Sequence, residues 1–178
     1  KRLRGQAGTD ALMPPVWPQG SRFVLLNDVP VQITSSPNLR RDEQQYRIGP
    51  ATRSYDDPSY IQLGAAFEGN GLRPLRPCHL RARVQTEDVV FNWIRRTRVG
   101  GDSWDSLEVP LAEENERYII RLLQDGKVLR DAITTDPEWR YDAETRQSDG
   151  MAGAFKISVA QVSASYGAGP AALISVSF

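Results

Sequence analysis

Cysteine and histidine are nearly missing from this chain, with one of each, Cys78 and His79, among 178 residues. One cysteine excludes an intrachain disulfide. A structural zinc site commonly draws on four ligands at characteristic spacing, and this pair has no such company, so no metal site is expected. Neighbouring side chains on an extended strand point to opposite faces, which also argues against a Cys–His nucleophile and base. Excess charge is missing too. Twenty-two basic and twenty-two acidic side chains cancel, the pI is about 6.8, and no global field steers the chain toward nucleic acid or an anionic membrane. No apolar run approaches the roughly 20 residues of a membrane-spanning helix, and no charged-then-apolar signal segment opens the chain. Helical periodicity is absent at any useful length. Residues 112–121 (AEENERYIIR) begin with helix-forming composition, yet Tyr118, Ile119, Ile120 and the Asp125-Gly126 turn favour a strand. No cofactor is implied. The chain opens on Lys1 instead of Met, and the expectation is a piece of a longer polypeptide whose targeting signals lie upstream.

What is present is alternation of period two, in a composition of 40% hydrophobic residues with 14 Gly and 12 Pro that suits a turn-rich β protein. The clearest stretch runs from His79 to Arg98. Leu80, Ala82 and Val84 alternate with Arg81, Arg83 and Gln85; after the polar break at Thr86, Glu87 and Asp88, Val89, Phe91 and Trp93 alternate with Val90, Asn92 and Ile94. Val89, Phe91 and Trp93 therefore share one strand face. Truncating a buried Trp costs roughly 3 to 5 kcal/mol, a large part of the roughly 5 to 15 kcal/mol that stabilises a small domain. Downstream, Tyr118, Ile120 and Leu122 lie on one face of a strand that an Asp-Gly hairpin joins to Val128–Thr134. Trp139 with Tyr141, then Phe155, Ile157 and Val159, then Leu173 to Phe178 entered through Gly167, Gly169 and Pro170, supply further strands. Seven short strands in about 100 residues predict a β-sandwich over 75–178. Its core is expected to hold Val89, Phe91, Trp93, Tyr118, Ile120, Phe155 and Ile157.

The first part of the chain is thinner. Pro14, Pro15 and Pro18 block regular structure around Trp17. A hairpin is expected from Arg22–Asn27 and Val31–Ile33, followed by strands at 45–51 and 60–67. These make a small β unit over 1–74 that buries little alone and is expected to complete a domain beginning upstream or to pack on the next unit. Residues 69–77 (GNGLRPLRP) read as a linker.

Chemistry is sparse. Asp56 with Asp57, and Glu113 with Glu114, are the carboxylate pairs. A glycosidase needs two carboxyl groups facing one another roughly 5 to 9.5 Å apart, whereas adjacent residues diverge on strands and cap or solvate turns. Arg95, Arg96 and Arg98 form the strongest basic cluster, without the basic stripe and stacking aromatics of nucleic-acid binders. They suit pairing with acids such as Asp102, Asp105 or Glu108, pinning the long 99–116 loop, or a contact with a partner subunit. Trp104 stands in that loop, either as a sugar-stacking or protein-contact residue or as a plug over the sandwich end. Trp104, Arg96, Arg98 and Asp102 are thus the candidate contact residues. Gly100, Gly101, Gly167 and Gly169 serve turns.

The Pro-led first strand, the Val89-x-Phe91-x-Trp93 second strand, the Tyr118-led third and the Gly/Pro turn before the last resemble a fibronectin type III domain. The run from Trp93 to Trp104 (WIRRTRVGGDSW), with Val109-Pro110-Leu111, Ala160–Ser163, Gly167, Gly169, the opening Leu3–Asp10 residues and Trp17–Leu26, resembles more specifically the C-terminal region of the large tail or baseplate protein of alphaproteobacterial phages and gene transfer agents. That resemblance spans nearly the whole chain. It implies a structural component of the tail tip, in a particle assembled in the bacterial cytoplasm and released. It also implies contact with other tail proteins, self-association within the assembly, and exposed loops facing the envelope. Longer members resemble proteins with an upstream glycoside-hydrolase-like barrel; nothing here matches it, and no catalytic residue carries over. The expectation is all-β, non-enzymatic and without cofactor. The alternatives are a carbohydrate-binding module using Trp104 on bacterial surface polysaccharide, and an accessory domain of a hydrolase.

Overall fold

A computed structural model describes residues 14–22, 25, 27, 29–31, 33–101 and 108–177. Two compact units meet at a boundary between Asn70 and Gly71.

In the first unit, a 3-10 turn at Pro37–Leu39 is capped by the Ser36 side chain, and strands β1 (Gln44–Ile48) and β2 (Ile61–Ala65) pair antiparallel. The register sets Tyr46 opposite Leu63 and Ile48 opposite Ile61 on one face, with Gln45, Arg47 and Gln62 on the other. Both strands are shorter than the alternation suggested. Between them the Asp57 carboxylate accepts the backbone N–H of Ser59 at 2.9 Å and its hydroxyl at 2.7 Å, a side chain closing its own turn. None of the described residues of this unit is buried. The hairpin expected at 22–33 falls partly outside the described residues, at Phe23, Val24, Leu26, Asp28 and Gln32. Its described members Arg22, Leu25, Asn27, Val31 and Ile33 are in no strand. Asn27 instead accepts the Val29 N–H in a side-chain turn.

The second unit is the expected β-sandwich. One sheet has the order β3 (Cys78–Gln85), β4 (Asp88–Ile94), β7 (Glu138–Tyr141); the other is β10 (Ala172–Val176), β8 (Phe155–Ser163), β5 (Tyr118–Gln124), β6 (Lys127–Thr134), with the two-residue β9 (Gly167–Ala168) beside β8. All pairings are antiparallel. Hairpin turns fit their residues: Asp125 and Gly126 both take positive φ between β5 and β6, as a two-residue turn matched to strand twist requires. A bulge between Cys78 and Arg81 holds His79 at φ 53°, where extra length is absorbed at the start of an edge strand.

Alternation delivers the core. Val89, Phe91 and Trp93 from β4 meet Tyr118, Ile120 and Leu122 from β5 and Phe155, Ile157 and Val159 from β8. The Trp93 ring meets Tyr118 edge-on at 5.1 Å, and Phe155 lies edge-on to both Phe91 and Tyr141, the arrangement that aromatic quadrupoles favour. Val84, grouped by alternation with Leu80 and Ala82, is mostly exposed although its register partner Val89 is buried, because β3 is the edge strand of its sheet.

Two expectations need correction. Residues 71–77 are part of the sandwich and not a free linker. Pro74 and Pro77 are fully buried, and a Cβ on Gly169 would stand 2.6 Å from the Pro74 carbonyl oxygen, so glycine alone permits that approach. A short helix, α1 (Ala143–Ser148), also joins β7 to β8. Six residues are too few to show a helical period, and its formation is local: the Asp142 side chain caps it by accepting the Thr145 N–H at 2.6 Å.

Candidate functional site

The 99–116 loop leaves β4 through a turn that the sequence specifies closely. The Thr97 hydroxyl donates to the Val99 carbonyl at 2.8 Å and accepts the Val99 N–H at 3.2 Å. Gly100 then takes φ 65°, a conformation that side chains disfavour. Trp104 and Asp102, two of the four candidate contact residues, lie outside the described residues, as does Asp105.

The returning limb is fastened to the sandwich by three acidic residues in four positions. Arg98 donates through Nε to Glu113 at 2.9 Å, through Nη2 to the Ala112 carbonyl at 2.8 Å, and through Nη1 to that of Gly71 at 3.4 Å. The Glu113 side chain is 2% exposed and that of Arg98 15%. This is a desolvated ion pair with its cation bonded further to backbone. Arg95 donates to the carbonyls of Pro110 and Val109, both at 2.8 Å, and lies 3.5 Å from the Glu116 carboxylate. Glu116 accepts the Tyr118 hydroxyl at 2.6 Å. Burial, joined by that bond to an anion, pushes the Tyr118 hydroxyl well above its usual range. A continuous path thus runs from the loop through Arg95, Glu116 and Tyr118 to Trp93. Glu114 points elsewhere. It accepts the Ser165 hydroxyl and the Ala164 N–H, tying the loop to the β8–β9 turn, and these bonds, the hydroxyl first, hold its carboxyl down to about 2.

Among the described residues, arginine pinning uses Glu113 and Glu116; Asp102 and Asp105, two of the partners the sequence suggested, lie outside them. Glu113 and Glu116 are within reach because Arg95 and Arg98 leave β4 beside the limb that leads into its neighbour in the core, β5. Arg96, the other candidate, is exposed and makes no hydrogen bond or ion pair among the described residues. Alternation along the departing chain separates it from Arg95. Of the carboxylate pairs, Glu113 and Glu114 go to separate partners, Arg98 and the β8–β9 turn, and Asp57 closes its own turn. Among the described residues there is no cluster of metal-ligating side chains, and His79 is exposed on its bulge.

A second polar network was not legible in the sequence. At the α1 connection, Arg130 of β6 donates through Nε and Nη2 to the two oxygens of Asp149 at 2.5 and 2.6 Å, and Tyr141 of β7 donates to the same carboxylate at 2.8 Å. Residues of both sheets converge on one carboxylate. The Arg130 bonds hold Asp149 below its usual range, with the tyrosine assisting. Asp88 of β4 is held down likewise by Arg140, and it also accepts the Ala143 N–H at 2.9 Å. Beside α1 lies a groove lined by Val84, Thr86, Glu87, Ala143, Arg146 and Met151, without an aromatic platform or paired carboxylates. The only sequence signal for this region is Asp142 placed three residues before Thr145.

No protein-family model matches the chain, and no curated protein matches it in sequence. Solved structures are similar at low identity. Domains d3–d4 of the rat CD45 extracellular region share 12% identity at a TM-score of 0.46, covering 94% of this chain and 80% of that one. FN3tt mut shares 13% at 0.40, covering 58% and 94%. A polysaccharide deacetylase from Bacillus cereus shares 9% at 0.40, covering 58% of this chain and 30% of the enzyme. By its own strand order and core, the second unit is a fibronectin type III-like β-sandwich.

Proposed function

We propose that this chain is a structural module of a phage-like tail tip or baseplate, packing against other tail proteins and presenting the 99–116 loop toward the bacterial envelope. The observation that supports the reading is the anchoring of that loop. Its departing limb is turned by Thr97 and its returning limb is fastened through Glu113, Glu114 and Glu116, and it continues the Trp93–Trp104 run that resembles the tail proteins. Anchoring on both limbs fixes where the loop leaves and rejoins the sandwich. Among the described residues, Asp57, Glu113 and Glu114 of the two adjacent carboxylate pairs are engaged in a turn, an ion pair and a tie to the β8–β9 turn, which supports a non-enzymatic role. Antibodies against the chain should label the tail tip of particles that carry it in negative-stain electron microscopy; label on the head, or free protein only, would overturn the reading.

The same anchored base suits a carbohydrate-binding module in which Trp104 stacks on envelope sugar. Trp104→Ala separates the readings. Loss of retention on purified envelope polysaccharide at unchanged melting temperature favours sugar binding, and a lowered melting temperature makes Trp104 a plug.

A further inference from the structure

The outer strand of a sheet keeps a row of backbone groups without a partner strand, and β3 is such a strand. The turn at Thr86 and Glu87 sets Gln85 opposite Asp88, and in a two-residue hairpin that flanking pair exchanges both of its backbone bonds. Alternation then commits Arg81, Arg83 and Gln85 to β4 and turns the N–H and C=O of Ala82 and Val84 to the open edge. Among the described residues, neither Ala82 nor Val84 takes part in any other backbone hydrogen bond.

The side chains of β3 say which strand would fit there. Val84 is 61% exposed and lines the groove beside α1 with Ala143 and Met151, an apolar surface continuous with the edge. Outward from the sheet stand Arg81 and Arg83, both exposed. The other arginines in strands of this unit, Arg121, Arg130 and Arg140, each pair with a carboxylate. Arg81 and Arg83 make no ion pair or hydrogen bond among the described residues, and their register partners on β4, Asn92 and Val90, bring no anion. On the same face Asp88 is engaged by Arg140, and Glu138 lies beyond Asn92 on β7. Like charges opposite one another on neighbouring strands repel and unlike charges attract, so two arginines on an edge reject most strands and select acidic ones. A strand that sets apolar side chains against Val84 sets its alternate side chains beside Arg81 and Arg83. From this match of backbone, apolar surface and charge we propose that β3 accepts an extended segment of another protein in which apolar and acidic residues alternate, added to the free edge of its sheet. The tail-tip reading is not required for it.

A fluorophore-labelled peptide with blocked ends, in which valine alternates with glutamate, should bind the full chain saturably by anisotropy, and hydrogen exchange should show new protection at the Ala82 and Val84 amides. A peptide of the same composition with its valines and glutamates segregated should bind about tenfold more weakly or worse. The combined variant Arg81→Glu, Arg83→Glu changes exposed positions and should keep its melting temperature. It should bind the glutamate peptide about tenfold more weakly or worse and prefer a valine–lysine peptide instead. Val84→Pro removes an N–H that faces the open edge, a place where proline is tolerated, and should abolish binding with both arginines intact; should that variant fail to fold, the charge-reversed pair still decides. Absence of saturable binding overturns the proposal, as do equal binding of the segregated peptide, indifference to charge reversal, binding by a folded Val84→Pro chain, or protection that falls on other strands. Protection of the same amides that grows with the concentration of the chain alone gives the edge to a second copy and overturns it too.

Discussion

The β1–β2 ribbon and the sandwich are built from the same alternation, and only one of them acquires an interior. Tyr46 and Ile48 on β1 face Leu63 and Ile61 on β2 much as Phe91 on β4 faces Ala82 on β3 and Trp139 on β7, yet Ile48, Ile61 and Leu63 are about half exposed or more while Phe91 is fully buried. The difference is the second sheet. Alternation decides which side of a strand is apolar; burial requires another apolar layer to lie against it. Hydrophobic stabilisation follows area removed from water, so identical side chains contribute unequally in the two places.

The largest break in that comparison is Trp93→Ala. Loss of a buried indole that packs on Tyr118 should cost about 3 to 5 kcal/mol and lower or abolish the thermal transition of the sandwich. Tyr46→Ala, an aromatic truncation on the ribbon, should leave that transition within a degree or two. Calorimetry on both variants measures the contrast directly. Next comes Arg98→Ala, which leaves the Glu113 carboxylate buried without its cation. A cost of about 3 kcal/mol is expected by urea denaturation, with Arg98→Lys recovering part of it, since lysine restores the charge without the guanidinium fork. Smaller again is Asp142→Ala, which removes the cap of α1 and should cost about 1 kcal/mol.

The smallest effect is a matter of pH. Glu114 titrates at about 2 in the folded chain against 4.5 when free, so its contribution is complete above pH 4.5 and is lost as pH falls toward 2. Asp88, Asp142 and Asp149 are also lowered and add to the same trend. The melting temperature should therefore decline through that acid range, and Ser165→Ala should make the decline shallower by removing the main cause of the Glu114 shift. Parallel curves for the two proteins would show that the Ser165 bond contributes nothing to the linkage.

The core was legible because it depends on a periodicity of two that each strand carries in itself. Val89, Phe91, Trp93, Tyr118, Ile120, Phe155 and Ile157 all face inward as alternation requires. The pinning of the loop was legible in kind, while its partners Glu113 and Glu116 were not singled out. Arg98 and Glu113 stand fifteen positions apart and meet only because β4 and β5 face each other across the sandwich. Convergence of Arg130, Tyr141 and Asp149 was beyond reach for the same reason, since it joins two sheets. α1 was missed because a helix of fewer than two turns has no period to detect, and its evidence is one capping side chain.

Gly169 carries a consequence for how such a sequence drifts. At Gly153 the backbone needs a positive φ but the space beside it is open, so asparagine or aspartate, which tolerate that conformation, are acceptable replacements. At Gly169 the space itself is taken by the Pro74 carbonyl. Every other side chain begins with the carbon that does not fit, so a library of variants selected for folding should be emptied at 169 of everything but glycine, while keeping polar diversity at 153. The seam where the first and last strands of the sandwich approach would thus be read from sequence variation as a single frozen letter.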